Sequence, residues 1–406
     1  MSFQQGLSGL NAASKSLDVI GNNVANANTV GFKMSEAEFA DVFANSLNGS
    51  GGTQVGIGTT VRAISQQFSQ GNITVTNNPL DIAINGKGFY RMSSNGAITY
   101  SRNGQFQLDK DGYIINSDKA KLTGYAASAS GVLDTSAPTE LRISSSDSMP
   151  SATTTVNATL NLDSRSTAPT AAFSLTNPDS YNNSTSVAVY DSLGNAHTLS
   201  LYFVRRSTAN SWDVYAASDG TQVGSGALGV LAFKDDGTLD TTASNLSAVS
   251  VTGLSNGAKD MSYTLDFAET TQFGSAFGVN SLAQNGYTSG RLSGLSVAAD
   301  GTIQGRYTNG QSSRLGQVTL ANFANSQNLQ PAGGNSWAET AESGAALIGA
   351  PNSGTLGVLQ SAAIEDSNVD LTAELVNMIT AQRVYQANAQ SIKTQDAVLQ
   401  TLVNLR

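Results

Sequence analysis

The two ends of this 406-residue chain carry apolar residues at helical seam spacing with almost no charge, and the residues between them are punctuated for β-structure. The N-terminal stripe runs Phe3, Leu7, Leu10, Leu17 and Val24, and only Lys15 and Asp18 are charged among the first thirty residues. The C-terminal stripe runs Leu371, Leu375, Met378, Tyr385, Ile392, Leu399 and Val403, with Gln382, Ala389 and Asp396 at the intervening positions. Spacings of three and four place such residues on one side of a helix, and an average period of 3.5 suits a coiled-coil seam. A single amphipathic helix ordinarily packs on its own domain. The N-terminal segment is a poor helix by itself, because Gly6, Gly9 and Gly21 each cost about 1 kcal/mol against Ala and Asn22, Asn23, Asn26 and Asn28 weaken it further. It needs an external apolar surface, and the nearest complementary one is the C-terminal stripe. The expectation is an antiparallel coiled-coil pair joining the chain ends. Two terminal seams in one chain suggest a subunit that polymerises, with these twelve apolar residues as the candidate self-assembly residues.

Composition favours assembly over catalysis. Charged residues make up 13% of the chain, about half the usual fraction near 25%, so Ser, Thr, Asn, Gln and backbone must cover most of the surface. Depletion of charge suits close packing of protein on protein. The net charge of −9 is spread without long runs, which argues against nucleic acid or an anionic membrane as partner. No cysteine occurs, so disulfides and thiolate metal sites are unavailable. Residues Met1 to Leu10 have neither a basic segment nor a continuous apolar run, so no cleavable secretory signal is expected, and no stretch approaches the roughly 18 apolar residues of a membrane span.

Between the ends, Asn-Gly or Asp-Gly begins at Asn48, Asn85, Asn95, Asn103, Asp111, Asp219, Asp236, Asn256, Asn285, Asp300 and Asn309. Type I′ hairpins prefer these dipeptides because both central residues need φ above zero. Short β-like runs lie between them: Phe89 to Met92, Ile98 to Ser101, Gln105 to Leu108 and Tyr113 to Ile115 read as an antiparallel meander. A second β region follows residue 285, with Leu292 to Val297, Thr302 to Tyr307 and Leu315 to Phe323. The span between has its own strand candidates at Ser186 to Tyr190, His197 to Val204, Trp212 to Tyr215, Val230 to Phe233 and Tyr263 to Phe267. The predicted fold is mainly β with α-helical termini and a nested order of domains. Residues 1–30 with 365–406 form the helical domain, 31–75 with 350–364 an extended connector, 76–145 with 285–349 an inner β domain, and 146–284 an inserted outer β domain. The Gly-, Ser- and Asn-rich stretch from Asn45 to Thr60 suits such a connector.

No residue set selects a catalytic, metal or cofactor site. His197 is the sole histidine and reads as a strand residue with a satisfied imidazole. Asp109-Lys110-Asp111-Gly112 starts like a calcium loop, but Ile114-Ile115 follow where further oxygen ligands are required. Gly56-Ile57-Gly58 and Gly86-Lys87-Gly88 lack the remaining residues of dinucleotide and phosphate loops.

One motif at the N-terminal end runs through Ser8-Gly9-Leu10-Asn11-Ala12-Ala13 and Leu17-Asp18-Val19-Ile20-Gly21-Asn22-Asn23-Val24-Ala25-Asn26 to Gly31-Phe32-Lys33. Another at the C-terminal end comprises Ser367-Asn368-Val369-Asp370-Leu371, Glu374-Leu375-Val376-Asn377-Met378-Ile379 and Gln382-Arg383-Val384-Tyr385-Gln386-Ala387-Asn388-Ala389. With these two motifs the terminal segments resemble those of the bacterial flagellar rod and hook family. The region from Asn78-Pro79-Leu80-Asp81 to Tyr125 looks similar in both branches of the family. Val187 to His197 looks like the outer domain of hook members, and Leu320 to Asn325 like their inner one. The resemblance implies a self-assembling subunit of a short, hollow, curved tube that joins rod to filament as a universal joint. It further implies terminal helices on the inside, export without a cleaved signal through the flagellar export apparatus, and a place outside the cell. The implied partners are further copies of the chain and the distal rod, hook cap and hook–filament junction proteins. A distal rod-type protein and a secreted β-rich adhesin are the alternatives.

Overall fold

The computed structural model describes residues 2–42, 56–128, 131–144 and 146–404. Helix α1, Ser2–Ala25, has neither an acidic residue in its first turn nor a basic one in its last. It ends where the asparagines begin: the Asn26 N–H reaches both the Asn22 and Asn23 carbonyls, and Gly31 takes a left-handed φ of 71°. Helix α2, Leu371–Asn404, starts on a side-chain cap, since Asp370 Oδ1 accepts hydrogen bonds from the Thr372 and Ala373 N–H groups at 2.9 and 3.1 Å.

The segment after α1 is not an extended connector. Strand β1, Ser35–Val42, pairs antiparallel with β2, Gly58–Gln66, with a bulge between Glu38 and Phe39. The hairpin lies on α1. Asn23 clamps its base by donating Nδ2–H to the Ser35 carbonyl and accepting the Ser35 N–H, while the Thr59 N–H reaches Ser8 Oγ. The physical reason is an edge-to-helix contact that hydrophobic periodicity does not announce: both strands are half-exposed along their length. Of the stretch Asn45 to Thr60, residues 45–55 lie outside the described residues.

Two units divide the chain, one of Met1–Ser145, Gly294–Arg306 and Ser312–Arg406, the other of Ser146–Ser293 and Tyr307–Gln311. In the first, segments distant in sequence are stitched together. Strand β3, Ile73–Val75, pairs with Ala363–Glu365, and β4, Ile82–Asn85, pairs with Val358–Ser361. The meander Phe89–Ser94, Ala97–Ser101 and Lys121–Ala126 is extended on one side by Ser312–Val318 and on the other by Ser336–Ala338. Phe89, Tyr100, Phe323 and Trp337 form a buried aromatic cluster packed with Leu329, with Phe89 and Trp337 edge to face at 5.7 Å.

The second unit is a sandwich. One sheet orders Val249–Val251, Met261–Asp266, Thr155–Asn161 and Gly278–Gln284; the other runs Asn183–Tyr190, Ala196–Arg205, Ser211–Ser218, Gly229–Ala232 and Asn245–Leu246. The alternation Leu199, Leu201, Phe203 turns one face of its strand inward, where it meets Trp212 and Val214 from the same sheet and Val156, Ala158 and Leu160 from the other. Both residues of the turn have positive φ at Asn95-Gly96 and Asp219-Gly220. At Asp111-Gly112, Asp236-Gly237 and Asp300-Gly301 only the glycine does, so these are not the expected type I′ turns.

Candidate assembly surface

The helices α1 and α2 run antiparallel, with Gly6 against Ile392 at one end and Asn23 against Glu374 at the other. Their contact uses small residues. A Cβ on Gly9 would stand 2.8 Å from the Asn388 amide oxygen, and one on Gly6 would stand 3.0 Å from Ile392 Cγ1, so these glycines permit the close approach. Gly6 and Gly9 are thus packing residues, whereas nothing lies within 4 Å of where a Cβ on Gly21 would stand.

The predicted seams are not what joins the pair. Phe3 and Leu7 of α1 are exposed, and Leu10, Leu17 and Val24 are half-buried. On α2, Leu371, Leu375, Tyr385, Leu399 and Val403 are exposed, Leu399 at 53% and Val403 at 73%, while Met378 and Ile392 are half-buried. The reason is geometric: Ala381 and Asn388 line the side of α2 that meets α1, and of the heptad residues Ile392 reaches it while most of the others fall on the neighbouring side. Val376, Ile379, Val384 and Val398, outside the heptad, are exposed as well. The free chain therefore exposes large apolar side chains along the length of α2. Such a surface marks an interaction site.

A buried ionic knot ties the roots of the two helices, and sequence reasoning missed it. Glu365 Oε1 accepts from Lys33 Nζ at 2.7 Å and from the Gly71 N–H at 3.0 Å, and its Oε2 accepts from Arg102 at 3.1 Å. All three charged side chains are buried. Burial pushes the Lys33 ammonium below its ordinary range; the Glu365 carboxylate opposes that, and Arg102 adds to it. The Lys33 ammonium also donates to the Ser69 carbonyl. Charges this deep stay only while paired, so the knot fixes how the strand before α2 meets the segment after α1.

A second buried carboxyl belongs to the same unit. Glu374, in the first turn of α2, is 6% exposed, and its Oε2 has no hydrogen-bond partner among the described residues. Burial raises its pKa, the Asn23 hydrogen bond opposes this, and the charge of Glu36 adds to the rise. The carboxyl lines a groove of about 590 Å³ between α1, α2 and β1.

In the second unit His197 is held as a strand residue, its Nδ1 2.6 Å from Asp219 Oδ2 and its Nε2 3.4 Å from Asp191 Oδ2. The Asp219 hydrogen bond raises the imidazole pKa against a smaller opposing effect of burial, and Asp191 assists. Burial disfavours the charged forms of both carboxylates. Bonds from Asn195, Asn256 and the Leu193 N–H outweigh this at Asp191, and bonds from His197 and the Thr198 N–H do so at Asp219, holding both below the ordinary range. A raised His pKa gives stability that is complete below about pH 6.5 and is lost as pH rises through the folded value; depressed Asp values give stability lost as pH falls below about 4. The melting temperature of this unit is expected to peak between those limits and to fall on each side by on the order of a few degrees. His197→Gln removes the alkaline fall and keeps the acid one, as thermal unfolding across pH will show.

A chain whose two ends pair, whose middle is stitched from distant strands and whose paired helices stay apolar on the outside has the construction of a flagellar axial subunit. Four family models match: "Flagella basal body rod protein" over residues 3–33, "Flagellar hook protein FlgE/F/G D1 domain" over 83–159, "Flagellar basal body protein FlaE D2 domain" over 161–287, and "Flagellar basal body rod FlgEFG protein C-terminal" over 360–405. The flagellar hook protein FlgE of Escherichia coli is 45% identical over the whole of both chains, and that of Salmonella typhimurium 44% over the whole of both. FlgE of Rhizobium meliloti is 33% identical over all of this chain and 98% of its own. The crystal structure of Helicobacter pylori flagellar hook protein FlgE2 shares the fold, with a TM-score of 0.51 at 12% identity over 72% of this chain and 99% of that one. The chain belongs to the flagellar hook protein FlgE family.

Proposed function

We propose that this chain is the building block of the flagellar hook, polymerising into a hollow, curved tube that transmits torque from rod to filament as a universal joint. The observation that carries the reading is the unpaired apolar surface of α1 and α2, which a soluble monomer would not sustain and a helical polymer buries. One non-self-complementary contact, repeated without closing a ring, generates an open helical polymer. The role is structural, with no catalysis and no cofactor.

The reading carries a radial order. Residues 1–30 and 365–406 form the inner tube, 31–75 and 350–364 the joint above it, 76–145 and 285–349 the middle shell, and 146–284 the outer one. In support, Val156 pairs with Gln284 and the Thr153 hydroxyl donates to Gln284 Oε1 at 2.8 Å, which brings the two ends of the last segment side by side, as an insertion requires. In a curved rotating tube each subunit must lengthen and shorten once per turn. A surface rich in small polar groups can exchange contacts with neighbours at little cost while the apolar helices hold. On this reading the chain leaves the cell through the flagellar export apparatus without a cleaved signal, stands outside the cell, and meets the distal rod, hook cap and hook–filament junction proteins at the ends of its polymer. Electron microscopy of the purified chain under polymerising conditions tests the proposal: hollow bent tubes are expected, and a chain that stays monomeric at every concentration and ionic strength overturns it.

A further inference from the structure

The groove that Glu374 lines combines apolar walls with buried negative charge. Ala13 and Ile20 of α1, Phe39 of β1 and Ala381 of α2 supply apolar walls, and Glu374 lines them with its Oε2 unpaired among the described residues. Glu36 of β1 lines the same groove and adds a second negative charge. Apolar walls with an unpaired buried carboxylate suit an apolar segment that carries one cation.

We propose that the occupant is α2 of a second copy of this chain, with the Arg383 guanidinium paired to Glu374. This rests on the polymer reading above. Arg383 lies on one stripe of α2 with Val376 and Ile379, seven and four positions earlier, and both of these are exposed. Docking the stripe therefore brings a cation in with two large apolar side chains. Lys393 is a poorer candidate, because Asp396 stands one turn away and its other neighbours on that face are Ala389, Gln390 and Ala397. The chain's own residues 43–55 contain no Lys or Arg. Nor do Glu374 and Arg383 of one chain meet: nine positions on one helix separate them by about 14 Å. The stripe and the groove occupy different sides of α2, so the contact is heterologous. It leaves a free groove on one copy and a free stripe on the other, which is the property an open polymer needs.

Two measurements on the full-length chain test this. Glu374→Arg and Arg383→Glu are each expected to raise the concentration needed for sedimentable polymer at least about tenfold, and the double variant to return it to near the parent value. Because a charge in the groove could also disturb α1, a cross-link decides independently of that effect. The chain has no cysteine, so Glu374→Cys and Arg383→Cys can be mixed under polymerising conditions and treated with a short bismaleimide. A covalent dimer in the mixture, absent from either variant alone, is expected. Parent-like polymers from both single charge reversals, or no dimer in a mixture that polymerises, overturns the groove contact while leaving the polymer reading intact. A parent chain that never polymerises overturns both.

Discussion

Replacing Leu375 and Leu399 together by Asp is expected to abolish polymerisation while leaving the unfolding of both β units unchanged. In the free chain these side chains are 45% and 53% exposed, so the substitutions cost the monomer little, within about 0.5 kcal/mol each. In a polymer that buries them, each carboxylate loses several kcal/mol of solvation without a partner. Two such losses raise the assembly concentration at least about a thousandfold, since each 1.4 kcal/mol is a factor of ten. Sedimentation reads the polymer and circular dichroism melting reads the units; normal polymers from the variant would mean that the seams face solvent in the assembled state.

The largest loss of monomer stability is expected at the ionic knot. Glu365→Ala leaves Lys33 and Arg102 buried with their shared counter-charge removed and the Gly71 N–H without its acceptor. Breaking a buried ion pair from one side costs about 3–5 kcal/mol, which in denaturant unfolding appears as a lowered midpoint of the first unit alone. The second unit contributes no residue to the knot and keeps its midpoint. Lys33→Met combined with Glu365→Leu and Arg102→Met is expected to recover part of the loss, because an apolar replacement of the whole cluster leaves no unpaired charge. A loss below about 1 kcal/mol for Glu365→Ala would show that water reaches the site.

What the sequence disclosed followed periodicity. The strand holding Leu199, Leu201 and Phe203 alternates cleanly because it buries one face, and it was legible, as were the meander strands holding Phe89 and Tyr100; the strand holding Leu122, which completes that sheet, was not read. The β1–β2 hairpin was not, since its strands alternate only between half-exposed and exposed positions and its partner surface is a helix. Strands Thr155–Asn161 and Gly278–Gln284 were hidden by their small and polar side chains and by a pairing that spans more than a hundred residues. Of the site, the terminal helices and their apolar residues could be read, but their packing side could not. Gly6, Gly9 and Asn388 look like helix-weakening residues until the opposing helix is in place. Glu365 meets Lys33 across 332 positions and Arg102 across 263, and no local pattern announces a partner at that distance.

The central claim is that the terminal helices assemble innermost while the second unit stays outermost. Helical reconstruction of the polymer by electron cryomicroscopy measures this directly, as the radius of each segment from the tube axis. The account predicts α1 and α2 lining the channel, with Leu375, Leu399 and Val403 buried against neighbouring subunits, and residues 146–284 at the largest radius. A polymer with the second unit at the axis, or with those three side chains facing solvent, would contradict it.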